Sequence, residues 1–205
     1  MEQQLSERTL HGETLKVVSL AKERLSFGPN LQLSECEIEF DCAPNTLSIA
    51  SGVTLRDCVL RARRPLTRAS FYRAKLWGCR FEGTFKDCDF GLIKQVDPRG
   101  WIEDCDFRAA RLDDCRFFGC ELARLKLPTL WPQLVLRAGQ REAAALLERA
   151  ETLGQKVFLG ALSEAHPDQV ASCRLAKNVG KTLAMDEEAL LDYLQALPFV
   201  ETTRG

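Results

Sequence analysis

Histidine is scarce in this chain, with only His11 and His166 among 205 residues. A hydrolytic triad needs a histidine beside its nucleophile, and neither imidazole lies in such a motif. No Cys-x-x-Cys pair occurs, so the common zinc sites are poorly supported. Gly180-Lys181-Thr182 matches the end of a phosphate-binding loop, but Leu175 stands where the first glycine of that loop should be. These absences argue against an enzyme, and we expect neither a metal nor another cofactor.

Long apolar runs and a large net charge are also missing. No window approaches the roughly eighteen consecutive apolar residues of a membrane span, so no membrane partner is expected. The first residues lack the basic region and apolar core of a signal peptide. The net charge is −1 and the cysteines number nine, an odd count that favours free thiols in a reducing compartment. The sequence therefore predicts a cytoplasmic protein.

A five-residue repeat fills most of the stretch from Ala69 to Arg124. Each copy has a small residue, Ala or Cys, two places before a large apolar residue. The copies are Ala69–Arg73, Ala74–Gly78, Cys79–Gly83, Cys105–Ala109, Ala110–Asp114, Cys115–Gly119 and Cys120–Arg124. A period of five fits neither a helix at 3.6 residues nor a strand at 2. It fits a solenoid that turns a corner every five residues.

These units resemble the pentapeptide-repeat family, whose units run small–polar–Leu/Phe–polar–polar. The resemblance implies a right-handed quadrilateral β-helix with four units per coil. A wider pattern around Cys36, Cys58 and Cys79 recurs at intervals of 22 and 21 residues, which extends the β-helix to about residues 15–127. We expect about five coils, with residues 1–14 as a polar N-terminal cap.

The cysteines of the repeat are predicted to be inward-facing filler. Seven occupy the small-residue position: Cys36, Cys58, Cys79, Cys88, Cys105, Cys115 and Cys120. Ala69, Ala74 and Ala110 occupy the same position in sister repeats, so it requires a compact apolar group. Metal binding and nucleophilic catalysis are the alternatives, and buried thiols are unsuited to both. Cys42 and Cys173 have no motif to explain them.

After Leu127 the repeat stops, and residues 128–205 are predicted to form a small α-helical C-terminal cap or domain. Trp131 is a candidate plug for the exposed last coil, since a solenoid end needs a cap. The predicted helices are Gln133–Leu153, Gln155–Glu164, Pro167–Asn178 and Asp186–Leu197.

Charge is segregated along the repeat. The stretch from Cys58 to Phe81 contains seven basic residues and no acidic one, which predicts a positive belt around the rod, with Tyr72 and Trp77 exposed in it. A loop at 93–100 interrupts the following coil and carries Asp97 and Arg99. One interpretation pairs the arginines with acids on neighbouring coils. Another is a docking site for an acidic protein, because Arg beside exposed Tyr and Trp is typical of interfaces. Nucleic acid is a third, and the pI near 6.2 argues against it.

The main functional hypothesis is a non-catalytic module that binds and neutralises another protein, as an immunity or antitoxin-like inhibitor would do. The partner-binding residues would be Arg63, Arg64, Arg68, Tyr72, Arg73, Trp77, Asp97 and Arg99. The family resemblance implies an alternative, a DNA mimic that modulates or protects DNA gyrase, although a basic middle coil suits that mimicry poorly. A third hypothesis is an enzyme built around Cys173 and His166. Two chains could also pair into a homodimer through an exposed solenoid end or an apolar helix face.

Overall fold

Parallel strands stack along a rod in the computed structural model of the chain, which describes residues 2–20 and 23–203. The rod is a β-solenoid of about four turns, followed by a few helices. The mainly-β fold expected from the repeat is thereby confirmed. The predicted count of about five coils is not confirmed, and the right-handed twist stays a prediction. Met1, Ala21 and Lys22 of the predicted cap and β-helix, and Arg204 and Gly205 of the predicted helical unit, lie outside the described residues.

Three parallel sheets form faces of the solenoid. The first sheet contains β1 (Glu2–Leu5), β4 (Arg24–Phe27) and β7 (Leu47–Ile49). The second contains β2 (Thr9–His11), β5 (Gln32–Ser34), β8 (Thr54–Arg56), β10 (Lys75–Trp77) and β13 (Trp101–Glu103). The third contains β3 (Thr14–Ser19), β6 (Glu37–Cys42), β9 (Val59–Thr67), β11 (Arg80–Lys86) and β14 (Ala110–Asp113). Within each sheet every strand hydrogen-bonds to the equivalent strand of the next turn.

The first turn begins earlier than the sequence predicted. Residues 2–5 and 9–11 are the strands β1 and β2, which pair with β4 and β5, so they belong to the solenoid and are not a separate cap. These strands lack the cysteine and phenylalanine that mark later repeats, and the sequence pattern therefore missed them.

A fourth sheet joins the solenoid to the C-terminal part of the chain. The parallel pair β12 (Asp89–Gly91) and β15 (Cys115–Phe118) continues into the antiparallel strands β17 (Gln169–Leu175), β16 (Gln133–Arg137) and β18 (Val200–Glu201). Because β17 pairs with β15, the last strand of this face has no open edge.

Strands β16 and β17 correct the prediction of an all-helical C-terminal unit, and the described residues of this part also form four helices. They are α1 (Gln140–Leu147), α2 (Leu153–Ser163), α3 (Ala176–Leu183) and α4 (Glu187–Gln195). The predicted helix Gln133–Leu153 begins with strand β16, and most of the predicted helix Pro167–Asn178 is strand β17. Both strands are short apolar runs, which periodicity alone cannot distinguish from buried helix segments. The predicted helices Gln155–Glu164 and Asp186–Leu197 are confirmed as α2 and α4. Asp186 is the N-cap of α4, while α2 begins two residues earlier than predicted, with Thr152 as its N-cap.

Large apolar side chains of the repeat point inward and stack from turn to turn. The Phe81 and Phe107 rings are parallel with centroids 4.3 Å apart, and Phe71 stacks on Phe90 at 5.0 Å. Phe90 in turn stacks on Phe117 at 5.2 Å. All five rings are fully buried. Stacked and edge-to-face aromatic pairs stabilise beyond their buried area, so this phenylalanine column strengthens the contact between successive turns.

The cysteines form inward columns beside these rings. All nine are free thiols, and eight are buried, while Cys120 is partly exposed. The Cys58 and Cys79 thiols donate to the carbonyls of Leu33 and Leu55 on the preceding turn, at 3.5 and 3.4 Å. The neighbouring Cys105 thiol raises the pKa of Cys79 to about 12. These residues fill space inside the solenoid, as expected.

The two cysteines outside the repeat are also structural. Cys42 donates to the Val17 carbonyl at 3.4 Å, and Cys173 on β17 lies opposite Cys115 on β15. Burial raises the pKa of both Cys42 and Cys173. A raised thiol pKa lowers the nucleophilic thiolate fraction near neutral pH, so the structure gives Cys173 no activated thiol.

We expect the native protein to resist thiol reagents. Burial raises the pKa of even the partly exposed Cys120 to about 12, so little thiolate forms at pH 8. A chromogenic disulfide reagent should report a small fraction of one thiol in the folded protein and all nine in denaturant. Rapid native labelling of Cys173 would contradict this account and revive the enzyme hypothesis.

Gln133 ends the third sheet. Its side-chain Oε1 accepts from the Leu112 backbone N–H at 3.1 Å, and its Nε2 donates to the carbonyls of Leu112 at 2.6 Å and Arg174 at 2.9 Å. The buried amide thus replaces one peptide unit of a further turn. Trp131, the predicted plug, packs instead among the helices and donates its Nε1 to Glu187.

Candidate binding groove

The predicted partner-binding residues do not share one face of the solenoid. Arg63 and Arg64 extend from β9, in the third sheet, and Arg68 follows that strand. Trp77 lies on β10, in the second sheet, while Asp97 and Arg99 lie in the loop at 93–100. The basic stretch of the sequence is therefore divided between different faces of the rod.

Arg63 and Arg64 of β9, and Arg68 just after it, are paired with acids of neighbouring turns. Arg63 forms an ion pair with Glu39, Arg64 with Asp41, and Arg68 with Asp87 at 3.0 Å. The hydrogen bond from Arg63 lowers the pKa of Glu39. Exposed pairs of this kind stabilise a fold little, but they leave less positive charge for a partner. A binding role for these three arginines stays a prediction.

Asp97 is buried and acts within its own loop. It was predicted to contact a partner, but only 7% of its surface is exposed. Its Oδ1 accepts from the backbone N–H of Arg99 at 3.1 Å and from the Arg99 Nε at 3.2 Å. Burial alone would raise the pKa of Asp97, and the nearby Ser51 hydroxyl together with the hydrogen bonds from Arg99 outweighs burial and lowers that pKa. The carboxylate thus holds the loop and positions Arg99.

The loop at 93–100 is an insertion that forms one wall of a groove. A turn takes 21 residues from Thr54 to Lys75 but 26 from Lys75 to Trp101. Gly100 ends the loop against the rod, because a Cβ there would lie 1.8 Å from the Tyr72 carbonyl oxygen. The backbone N–H of Trp101 then donates to the Ala74 carbonyl and restores the strand register.

The groove, of about 510 Å³, lies between this loop and the second sheet. Its chemistry comes from two indoles and three cationic side chains: Trp77, Trp101, Arg56, Lys75 and Arg99. Lys75 lies beside Trp101, and Trp77 beside Arg56, because these residues are partners in strand pairing. The outward row of three strands thereby places aromatic and cationic groups side by side.

Both indoles are exposed yet fixed. Trp77 is 44% exposed and Trp101 54% exposed. The Trp77 Nε1 donates to Asp104 at 3.2 Å, and the Trp101 Nε1 donates to Glu103 at 2.9 Å. The Arg56 guanidinium lies 3.9 Å from the centre of the Trp77 ring, in a cation–π contact. The rings are thus held in place before any partner arrives, which lowers the entropy cost of binding.

The groove has more positive than negative charge available. Within residues 2–20 and 23–203, neither Arg56 nor Lys75 forms an ion pair with a carboxylate. The acidic residue of the lining, Glu103, forms an ion pair with Arg124. An acidic group entering the groove therefore meets two cations that no carboxylate of the described chain neutralises.

Of the eight predicted residues, only Trp77 and Arg99 line the groove. Tyr72 and Arg73 lie nearby in the 3₁₀ turn Phe71–Arg73, where the Arg73 guanidinium lies 5.5 Å from the Tyr72 ring centre. Arg56, Lys75 and Trp101 also line the groove, and the sequence did not mark them as candidates. Lys75 and Trp77 flank the inward Leu76, so the alternation along the strand predicts from the sequence that both side chains face outward. The position of Trp101 could not be predicted in this way, because the inserted loop makes its strand pairing with Lys75 impossible to assign from the sequence.

The part of the chain that the structure describes contains no group of three or more His, Cys, Asp or Glu side chains placed to hold a metal ion. None of its helices combines the length and apolar character that crossing a membrane requires.

Comparison with protein-family models, curated proteins and solved structures finds no match for this chain.

Proposed function

We propose that the protein is a non-catalytic binding module whose groove between Trp77 and Trp101 holds an acidic segment of a partner protein. The observation that carries this proposal is the juxtaposition of two exposed, fixed indoles with two cations that have no carboxylate partner among the described residues. Trp and Arg are the residues most enriched among interface hot spots. A rigid module of this kind would neutralise its partner by occupying a surface that the partner needs.

The repeat supports a finer proposal about the fold. The small and aromatic positions recur in register over successive turns, as in the pentapeptide-repeat family, and the turns of 21 or 22 residues fit four units each. We therefore propose that the solenoid is a right-handed helix of that kind. An experimental structure would test its handedness directly.

Capture from a lysate of the native host tests the binding proposal. Tagged wild-type protein should retain one stoichiometric protein, identified by mass spectrometry. Replacing Trp101 with Ala should weaken its binding about 30-fold, since a hot-spot residue contributes about 2 kcal/mol or more. The double change Arg56→Glu and Lys75→Glu should abolish capture.

The matched control removes cations from the other face. The variant Arg63→Glu/Arg64→Glu makes the same change of net charge outside the groove and should capture the partner normally. If this control failed to capture the partner while the groove variants still captured it, the proposal would be contradicted. Capture that disappears after nuclease treatment would also contradict it, since it would indicate a nucleic-acid partner.

A further inference from the structure

The first turn of the solenoid exposes the outer edges of three strands. Outward of β1, β2 and β3, no strand pairs with them within residues 2–20 and 23–203. At the opposite end β17 pairs with β15, and Gln133 occupies the edge of β14. The amino-terminal end therefore presents three strand edges whose backbone groups can still accept a partner strand.

The apolar side chains of this end are incompletely covered. Leu5, Leu10 and Leu15 of the first turn are only partly buried. Their partners one turn later are Phe27, Leu33 and Ile38, which are 0%, 1% and 0% exposed. The same inward positions are thus fully buried once a further turn packs against them. One additional layer of strands would bury the three leucines in the same way.

The geometry restricts what that layer can be. An occupant must offer several strand edges at once, arranged around a cross-section of the same shape and with apolar groups at its centre. A second copy of this same end meets each requirement. A two-fold axis across the rod would bring the edges together antiparallel, an arrangement that strand edges accept readily.

The charges at this end also suit self-association. Its exposed residues include Glu7 and Glu13 together with Arg8 and Lys16, two acids and two bases. A two-fold interface places a surface against itself, so a balanced mixture of signs allows attraction where a single sign would repel.

We propose that two copies of this chain dimerise through the first turns of their solenoids, so that the edges of β1, β2 and β3 extend the sheets across the interface. The rod then doubles in length, and the two grooves are presented on one rigid body. Leu5, Leu10 and Leu15 become core residues of the dimer.

Light scattering after size-exclusion chromatography tests the proposal. The wild-type protein should have twice the 23.0 kDa mass of the chain at a loading concentration of about 100 μM. At that concentration the dimer dominates if its dissociation constant is about 10 μM or lower. Leu10→Lys should yield the 23.0 kDa monomer, because lysine at a strand edge blocks pairing. The control Leu153→Lys places the same charge on a residue that is 78% exposed and far along the chain, and it should stay dimeric.

Amide hydrogen exchange of the wild-type protein covers the case in which Leu10→Lys fails to fold. Amides of β1, β2 and β3 should exchange slowly at high concentration and faster on dilution, while those of β9 and β11 stay constant. A wild-type monomer at 100 μM, or a dimer whose first-turn amides exchange equally at both concentrations, would overturn the proposal. The first result would leave this end open to a different occupant, and the second would move the interface elsewhere.

Discussion

Replacing Gln133 with Leu should lower the free energy of unfolding by about 3–5 kcal/mol, since the change removes three hydrogen bonds and leaves buried backbone groups without partners. The affected groups are the Leu112 N–H and carbonyl and the Arg174 carbonyl. Leucine has a similar volume, so the loss would come from hydrogen bonding and not from a cavity. Urea denaturation followed by circular dichroism measures it.

Gln195→Leu is the control for this prediction. Gln195 is exposed near the end of α4, so the same substitution there should change stability by about 0.5 kcal/mol or less. Equal effects at the two positions would show that Gln133 does not act as the terminal peptide unit of the third sheet.

Truncating Phe81 to Ala should also destabilise the protein by about 3–5 kcal/mol, the usual cost of removing a buried aromatic ring. Phe81 is fully buried and its ring contacts those of Phe71, Phe85, Phe90 and Phe107. The remaining rings belong to stacked turns and cannot collapse into the space without shifting strands. The midpoint of urea denaturation should therefore fall sharply.

Trp77→Ala is the matched control, because it truncates an aromatic residue only four positions away. Trp77 is 44% exposed and lies in the groove, so its loss should cost far less stability while weakening partner binding. A large loss of stability in Trp77→Ala would mean that the indole supports the fold, which would weaken its assignment to binding.

The solenoid was predictable because its signal is local and repeated. Each copy places a small residue two positions before a large one, and the inward phenylalanines and cysteines follow directly from that spacing. The part of the first turn before residue 15 was missed because Leu5 and Leu10 lie in strands without the repeat's cysteines. Strands β16 and β17 were mistaken for helices because their pairing is set by the solenoid edge that they cover, which no local pattern encodes.

The groove was only partly predictable. The exposure of Trp77 followed from its place beside the inward Leu76. The partnership of Trp101 with Lys75 depends on how the inserted loop returns to the strand, and that required the three-dimensional structure. Asp97 was predicted wrongly for the opposite reason. A charged loop residue suggested exposure, but its carboxylate is buried and accepts a hydrogen bond from Arg99 of the same loop.

The most direct test of the binding groove uses its own fluorescence. The chain has three tryptophans, so Trp131→Phe leaves only Trp77 and Trp101 as reporters, both in the groove. Titration of this variant with the captured partner protein should shift the emission to shorter wavelength and reduce quenching by acrylamide, because binding would bury both indoles. Saturated binding with unchanged emission and unchanged quenching would show that the partner binds elsewhere and would contradict the account.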